Sequence, residues 1–251
     1  MIRSIEIKNY KSIESLKLKP SRFNVLIGEN GAGKTNILEA IVLATNTVDK
    51  YFYNDFLDAK SIKDTAQNPC RNIEIDLKWQ SGDRVEFRLQ EDSNGYCHFV
   101  SSGGSWHPSK EFLIYGRTEF STASWSPAIG LTINELPEQK LLETGFKSEA
   151  FAIEDFGAFL NPRLSRRTIQ ELISFAKKHD RQMFLTTHQP GALDGLDLED
   201  EDQRLFAVSR NTLGNTKIRR INPPKPLDGQ EPVDLSEAFL RGYLGALPKD
   251  F

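Results

Sequence analysis

Hydrophobic and polar residues alternate at the start of the chain. The segments IRSIEIKNY and ESLKLKP both follow a period of two, which is the spacing of a strand with one buried face. We therefore predict that the chain opens with an antiparallel hairpin. Three more alternating segments, RNIEIDLKWQ, DRVEFRLQED and GYCHFVSS, are divided by the turn sequences SGD and SNG. This arrangement predicts an antiparallel meander.

Continuous apolar segments occur at three places, in FNVLI, EAFAIEDF and RQMFLTTH. Such segments are typical of strands buried on both faces of a parallel sheet. A helix is predicted after the first, from Lys34 to about Thr47, and another begins after the second, where Asn161 and Pro162 suit a helix start. Strands that alternate with helices predict an α/β fold.

The C-terminal part is predicted to contain a hairpin around TLGN, followed by a helix over DLSEAFLRGYLGAL. Two stretches have no clear period: residues 49–70, interpreted as a surface excursion, and residues 117–147, the least interpretable part of the chain. We predict a single domain over residues 1–251, with an N-terminal lobe over about 1–116 and a C-terminal lobe over about 117–251.

Composition narrows the class of protein. A hydrophobic content of 38% in 251 residues is enough for one compact domain with a core. The net charge of −3 neither supports nor excludes nucleic acid as a partner. Two cysteines, Cys70 and Cys97, form no disulfide framework, and no run of about 18 apolar residues is present. We therefore expect a cytoplasmic protein that does not contact a membrane.

A glycine-rich sequence, GENGAGKTN, lies between the first buried strand and the first helix. It matches GxxxxGK[ST], in which glycines let the backbone curl so that several N–H groups face one polyphosphate. The lysine is expected to reach the β- and γ-phosphates, and the Thr35 hydroxyl to ligate Mg²⁺. A nucleotide and Mg²⁺ are thus the predicted ligands. The candidate binding residues are Gly28, Asn30, Gly31, Ala32, Gly33, Lys34, Thr35 and Asn36.

Two acids, Glu154 and Asp155, follow the apolar segment FAI. Hydrolysis at a phosphate loop needs a carboxylate near the metal and a second group that orients water. Adjacent residues on a strand point to opposite faces, so one acid can address the metal and the other the water. The alternative is a pair of solvated acids at a strand end.

These motifs, with FAIEDFGAFLNP and FLTTHQP, resemble the ATP-binding-cassette (ABC) ATPases of the SMC, RecF and OLD (overcoming lysogenization defect) kind. The resemblance implies a P-loop NTPase fold with an ABC-like head and a mixed or parallel core sheet. It implies that Glu154 positions Mg²⁺, that Asp155 is the catalytic carboxylate and that His188 senses the γ-phosphate. The opening IEIKNYKSIESLKL is similar to the family's first strand pair, which implies that Asn9, Lys11 and Ser12 approach the base and α-phosphate.

The sequence departs from the family pattern in several places. The acids stand in the order Glu-Asp, where Asp-Glu or Glu-Glu is usual, and Asn161 stands where a histidine is common. No heptads separate Lys34 from Glu154, so no coiled coil is expected. The Ser-Gly-Gly signature expected shortly before the acidic strand is missing from the window SPAIGLTINELPEQKLLETG, where Ser126 and Gly130 are candidates for a remnant. We therefore expect a reduced helical lobe.

The function predicted from these features is a Mg²⁺-dependent ATPase that acts as a switch or clamp for a protein effector, such as a nuclease or toxin, in phage defence or DNA repair. A homo- or hetero-oligomer is expected. Direct DNA contact has weak support, from the pairs Arg166–Arg167, Lys177–Lys178 and Arg219–Arg220. Two alternatives stay open: an ATP-sensing scaffold that does not hydrolyse ATP, and the ATPase subunit of an ABC transporter.

Overall fold

The computed structural model describes seven parts of the chain, and its elements are numbered in chain order among them. They contain two β-sheets and four helices. The described residues are 1–45, 72–91, 97–103, 112–115, 150–158, 160–223 and 234–245.

The first sheet is antiparallel and has five strands in the order β2-β1-β4-β5-β6. The first two strands form the predicted hairpin, and the other three form the predicted meander, which pairs with β1 along one edge. These strands are β1 Ile2–Tyr10, β2 Ile13–Leu18, β4 Ile73–Trp79, β5 Arg84–Glu91 and β6 Cys97–Gly103.

The second sheet is mixed and has six strands in the order β11-β10-β3-β9-β8-β7. Its strands pair in parallel from β10 to β7, and β11 is antiparallel at one edge. The predicted C-terminal hairpin is therefore present, but it also extends the central sheet by pairing in parallel with β3, which the alternation pattern did not indicate. The strands are β3 Phe23–Ile27, β7 Phe112–Tyr115, β8 Ala150–Ile153, β9 Gln182–Thr187, β10 Gln203–Arg210 and β11 Thr216–Ile221.

The helices cover both faces of this central sheet. Helix α1, Lys34–Thr45, is buried along most of its surface because it lies between the two sheets. Helix α2, Pro162–Lys178, starts where the sequence predicts, since the Asn161 side chain accepts a 2.8 Å hydrogen bond from the N–H of Leu164. The short helices α3, Pro190–Leu193, and α4, Leu235–Leu240, pack on the same side as α2.

Alternate side chains of the central strands enter two separate clusters. Leu26 and Phe184 point toward α1 and the antiparallel sheet. Val25 and Leu185 point toward α2, α3 and α4. Because both faces of β3 and β9 are buried, their sequences lack polar alternation, which explains why they were recognisable as parallel strands.

The predicted mixed α/β fold with an antiparallel sheet is confirmed. No coiled coil is present in the parts of the chain described above. Among the same residues, none of the helices has the length and apolarity needed to span a bilayer. Residues 49–70 and 117–147 lie outside the described residues, and the division into two lobes stays a prediction.

We expect Gln182→Leu to lower the free energy of unfolding by about 2 kcal/mol or more, because the Gln182 side chain joins the two sheets. It accepts from the N–H of Ile2 and donates to the carbonyls of Ile2 and Ser21, all within 2.8 Å and in a buried position. Urea unfolding measures this loss. The control Gln170→Leu changes an exposed residue of α2, and an equal loss in both variants would contradict the assignment.

Candidate nucleotide-binding site

The segment from Gly28 to Thr35, here called the phosphate loop, joins the end of β3 to the start of α1. The N–H of Ala32 donates to the carbonyl of Glu29, and the N–H of Ile37 donates to the carbonyl of Gly33, both at 3.2 Å. The latter bond is the first of helix α1, so the helix N–H groups before it have no partner four residues earlier. These groups and the helix dipole suit an anion.

The Lys34 side chain turns back into the phosphate loop. Its Nζ donates to the carbonyls of Gly28 and Glu29, both at 2.9 Å, and lies 3.1 Å from His188 Nε2. Burial lowers the pKa of Lys34 to about 8, against the opposing effect of Asp155, Glu154 and Glu29. The ammonium is therefore costly to bury and gains from a nearby anion such as a phosphate.

Thr35 and Glu154 meet although they come from different elements. The Thr35 hydroxyl donates a hydrogen bond to Glu154 Oε1, which follows the end of β8. Hydroxyl and carboxylate oxygens are the ligands that Mg²⁺ prefers. No cluster of three or more His, Cys, Asp or Glu able to hold a metal occurs among the described residues. The pair therefore fits Mg²⁺ only as part of a shell that phosphate oxygens and water complete.

Asp155 and His188 lie at the outer end of the site. Strand β8 ends at Ile153, and the backbone turns at Asp155, where φ is +51° and the N–H donates to Thr186 Oγ1. Glu154 thus faces Thr35, whereas Asp155 Oδ1 lies 3.8 Å from His188 Nε2. The Asp155 side chain is 67% exposed and that of His188 is 37% exposed. This end of the site is open to solvent.

The pKa of His188 is lowered, first by burial and then by the charge of Lys34, with Asp155 acting in the opposite direction. The imidazole is therefore neutral at pH 7. A neutral ring offers one donor and one acceptor nitrogen, so His188 can contact both a phosphate oxygen and a neighbouring group.

The three candidates in the opening strands have different surroundings. Asn9 donates to the carbonyl of Asn72, and Lys11 forms a 2.5 Å ion pair with the buried Glu39 of α1. Both side chains are thus held by protein partners. Ser12 accepts a 2.7 Å hydrogen bond from Asn36, the residue that directly follows the phosphate loop.

The hairpin of β10 and β11 also contacts the phosphate loop, and sequence reasoning missed it. Arg210 Nε donates to the carbonyl of Gly31 at 2.6 Å, and Thr216 Oγ1 donates to that of Ala32 at 3.0 Å. A Cβ on Gly28 would lie only 2.1 Å from the Val208 carbonyl oxygen. No motif marks these residues, because their roles depend on parallel pairing with a strand far away in the sequence.

Comparisons with known proteins agree with this geometry. A family model described as AAA ATPase domain matches residues 1–125. The DNA replication and repair protein RecF of Vibrio atlanticus is 32% identical over 84 residues, and that of Rickettsia massiliae is 51% identical over 43 residues. The SMC head domain from Thermotoga maritima has the same fold, with a TM-score of 0.56 and 14% identity over 88% of this chain and 99% of that one. Together these matches support a RecF/SMC-like P-loop ATPase family for this chain.

The RecF/SMC-like domain is similar to its relatives over different lengths. The matched regions are 33% and 17% of this chain, but only 21% and 12% of the respective RecF proteins. An SMC head bound to the C-terminal winged-helix domain of ScpA covers almost the whole fold, with a TM-score of 0.58 and 12% identity over 88% of this chain and 97% of that one. The predicted resemblance is thus confirmed, and the match to an ATPase domain implies that a nucleotide is bound.

One residue of each basic pair has a protein partner. Arg167 pairs with Glu171 at 2.9 Å, Lys177 pairs with Asp200 at 2.6 Å, and Arg219 donates to a backbone carbonyl. These contacts explain the three residues without DNA. Ser126 and Gly130, the candidates for a signature remnant, lie outside the described residues.

We expect the stability of the wild type to rise relative to that of Lys34→Met as the pH increases from about 8 to about 10. In that window the unfolded lysine, with its ordinary pKa of 10.5, keeps its proton, while the folded Lys34 loses its proton near its pKa of about 8. The unfolded state then binds more protons, so the free energy of unfolding increases with pH. Urea unfolding across this range measures the effect. The exposed Lys217→Met is the control, and parallel curves for wild type and Lys34→Met would contradict the prediction.

Proposed function

We propose that this domain binds ATP together with Mg²⁺, hydrolyses the ATP, and uses the cycle to switch a protein partner. One observation carries the proposal: the phosphate loop, the acids after β8 and the histidine after β9 converge at one edge of the sheet. Three distant segments supply a cation, oxygen ligands and an imidazole there, which is the set that phosphoryl transfer needs.

The base of the site binds and orients the triphosphate. The phosphate-loop amides and Lys34 hold the β- and γ-phosphates, and Lys34 exchanges its two carbonyl contacts for phosphate oxygens. Thr35 and Glu154 would hold Mg²⁺. The ion would neutralise charge on the phosphates.

The outer end of the site positions the water. Asp155 accepts a hydrogen bond from the attacking water and orients it toward the γ-phosphate. His188 contacts the γ-phosphate through a ring nitrogen, and its place between Lys34 and Asp155 suits that task. Because Asp155 is short and solvent-exposed, slow turnover is expected.

The partner we propose is a protein effector such as a nuclease or toxin, and the domain works as part of a homo- or hetero-oligomer in the cytoplasm. The structure described as an SMC head bound to a ScpA domain supports a protein partner. The description of RecF as a replication and repair protein favours DNA repair, with phage defence as the second setting. DNA as a direct ligand has less support, since one residue of each basic pair contacts another protein group.

A second candidate is a scaffold that senses ATP without turning it over. The exposure of Asp155 favours it, because a carboxylate in water controls an attacking water less firmly than a buried one. A transporter subunit, the third candidate, gains no support from the site.

We expect Lys34→Ala to weaken ATP affinity by roughly tenfold or more, since a charge-assisted contact to phosphate contributes about 1.5–3 kcal/mol. Isothermal titration with ATP and Mg²⁺ measures the change. The control Lys217→Ala removes an exposed lysine from the hairpin and is expected to bind ATP as the wild type does. Equal affinity in wild type and Lys34→Ala would refute the proposed site.

We expect Asp155→Ala to lower the rate of phosphate release roughly a hundredfold while ATP affinity changes little, because Asp155 acts on the water and not on the triphosphate. Single-turnover assays with radiolabelled ATP separate the two quantities. The exposed Glu199→Ala is the control for loss of an acid. Equal phosphate release from wild type and Asp155→Ala would leave the non-hydrolysing sensor as the better description.

A further inference from the structure

Thr216, the first residue of β11, is completely buried and polar. Its hydroxyl donates to the carbonyl of Ala32 at 3.0 Å and lies 2.7 Å from Ser12 Oγ. Its N–H also donates to the carbonyl of Ser12 at 2.8 Å. Thr216, in the C-terminal hairpin, therefore joins the turn between β1 and β2 to the phosphate loop.

The hydrogen bonds around Thr216 have one consistent direction. A hydroxyl has a single proton, and that of Thr216 is used on Ala32. Ser12 must then donate to Thr216, and Ser12 in turn accepts from Asn36 Nδ2 at 2.7 Å. The result is a chain of donors, Asn36 to Ser12 to Thr216 to Ala32, in which each hydroxyl donates once and accepts once.

The last of these hydrogen bonds, from Thr216 to Ala32, determines where the N–H of Gly33 points. The peptide bond between Ala32 and Gly33 is planar and trans, so its C=O and N–H point in opposite directions. Thr216 holds the Ala32 carbonyl toward the hairpin. The Gly33 N–H consequently points away from the hairpin.

The close approach of Thr216 to the loop also requires a glycine at position 33. A Cβ at this position would lie 2.1 Å from Thr216 Oγ1 and 3.1 Å from Ser12 Oγ. The φ angle of +103° also disfavours any other residue. The glycine before Lys34 therefore allows the hairpin to approach the loop closely, in addition to its part in the curl of the backbone.

We infer that Thr216 is a positioning residue for the triphosphate site: through the Ala32 carbonyl it fixes the Gly33 amide in the orientation that accepts a phosphate. The C-terminal hairpin thus controls ATP affinity without touching ATP. This inference rests on the proposed ATP binding. It assigns to the hairpin a role that the loop motif alone does not contain.

The test compares two substitutions at position 216 by isothermal titration with ATP and Mg²⁺. Thr216→Val keeps the shape and removes the hydroxyl, and is expected to raise the Kd for ATP roughly fivefold, the size of one neutral hydrogen bond. Thr216→Ser keeps the hydroxyl and is expected to bind ATP with nearly wild-type affinity. The control Thr212→Val makes the same chemical change at an exposed position of the hairpin turn and is expected to leave the Kd unchanged.

A double-mutant cycle with Ser12→Ala distinguishes the relay from general loss of stability. Ser12→Ala alone is expected to raise the Kd roughly twofold, and in combination with Thr216→Val it is expected to add little, because the relay is already broken. If Thr216→Val does not fold, as judged by circular dichroism, Ser12→Ala carries the test, and an unchanged Kd there overturns the inference.

Other outcomes separate this inference from the proposed function. If wild type binds ATP more tightly than Lys34→Ala but Thr216→Val binds as wild type does, ATP binding stands and the role of Thr216 is wrong. If Thr216→Ser weakens binding as much as Thr216→Val, the hydroxyl is not responsible and the inference is also wrong. If wild type and Lys34→Ala bind ATP equally weakly, the proposed function fails, and the inference fails with it.

Discussion

The site depends on the parallel pairing of β3 with its two neighbours. Ile27 lies beside Thr187 of β9 on one side and beside Ala207 of β10 on the other. Parallel strands end at the same edge of a sheet, so the residues that follow them meet there. A shift of one residue in either pair would reverse the buried faces and move a site residue by about 3.3 Å. Such a shift would break the packing of the β3 side chains in the two core clusters.

The buried ammonium of Lys34 would gain a favourable partner when a triphosphate binds. A buried lysine, whose pKa is lowered to about 8, lies among three acids that oppose the effect of its burial. Its contacts to two loop carbonyls keep the ammonium hydrogen-bonded in the meantime. A phosphate replaces these dipoles with full charge, which is a stronger partner for a buried cation. The protein thus tolerates a buried ammonium, which is unfavourable by itself, at the position where it would contact a phosphate.

The two ends of the site differ in their exposure to water. Lys34 is buried at the base, whereas Asp155 and His188 face solvent. Electrostatic effects weaken in water, so the proposed function assigns firm phosphate binding to the base and a weaker action to the outer carboxylate. A partner surface that covered the outer end would exclude water and strengthen the action of Asp155. Binding and turnover can therefore respond differently to a partner.

The sequence by itself determined the phosphate loop, because GENGAGKTN is a local motif and the apolar strand and helix around it are local patterns. The same holds for the opening hairpin, the meander and the Asn161 cap, each set by neighbours within a few residues. Only the tertiary structure decided that Lys11 pairs with Glu39, that the Thr35 hydroxyl donates to Glu154, and that Thr216 supports Ala32. These contacts join residues far apart in the chain, and strand order and register fix them. Neither follows from periodicity, which records which face of a strand is buried but not which strand lies beside it.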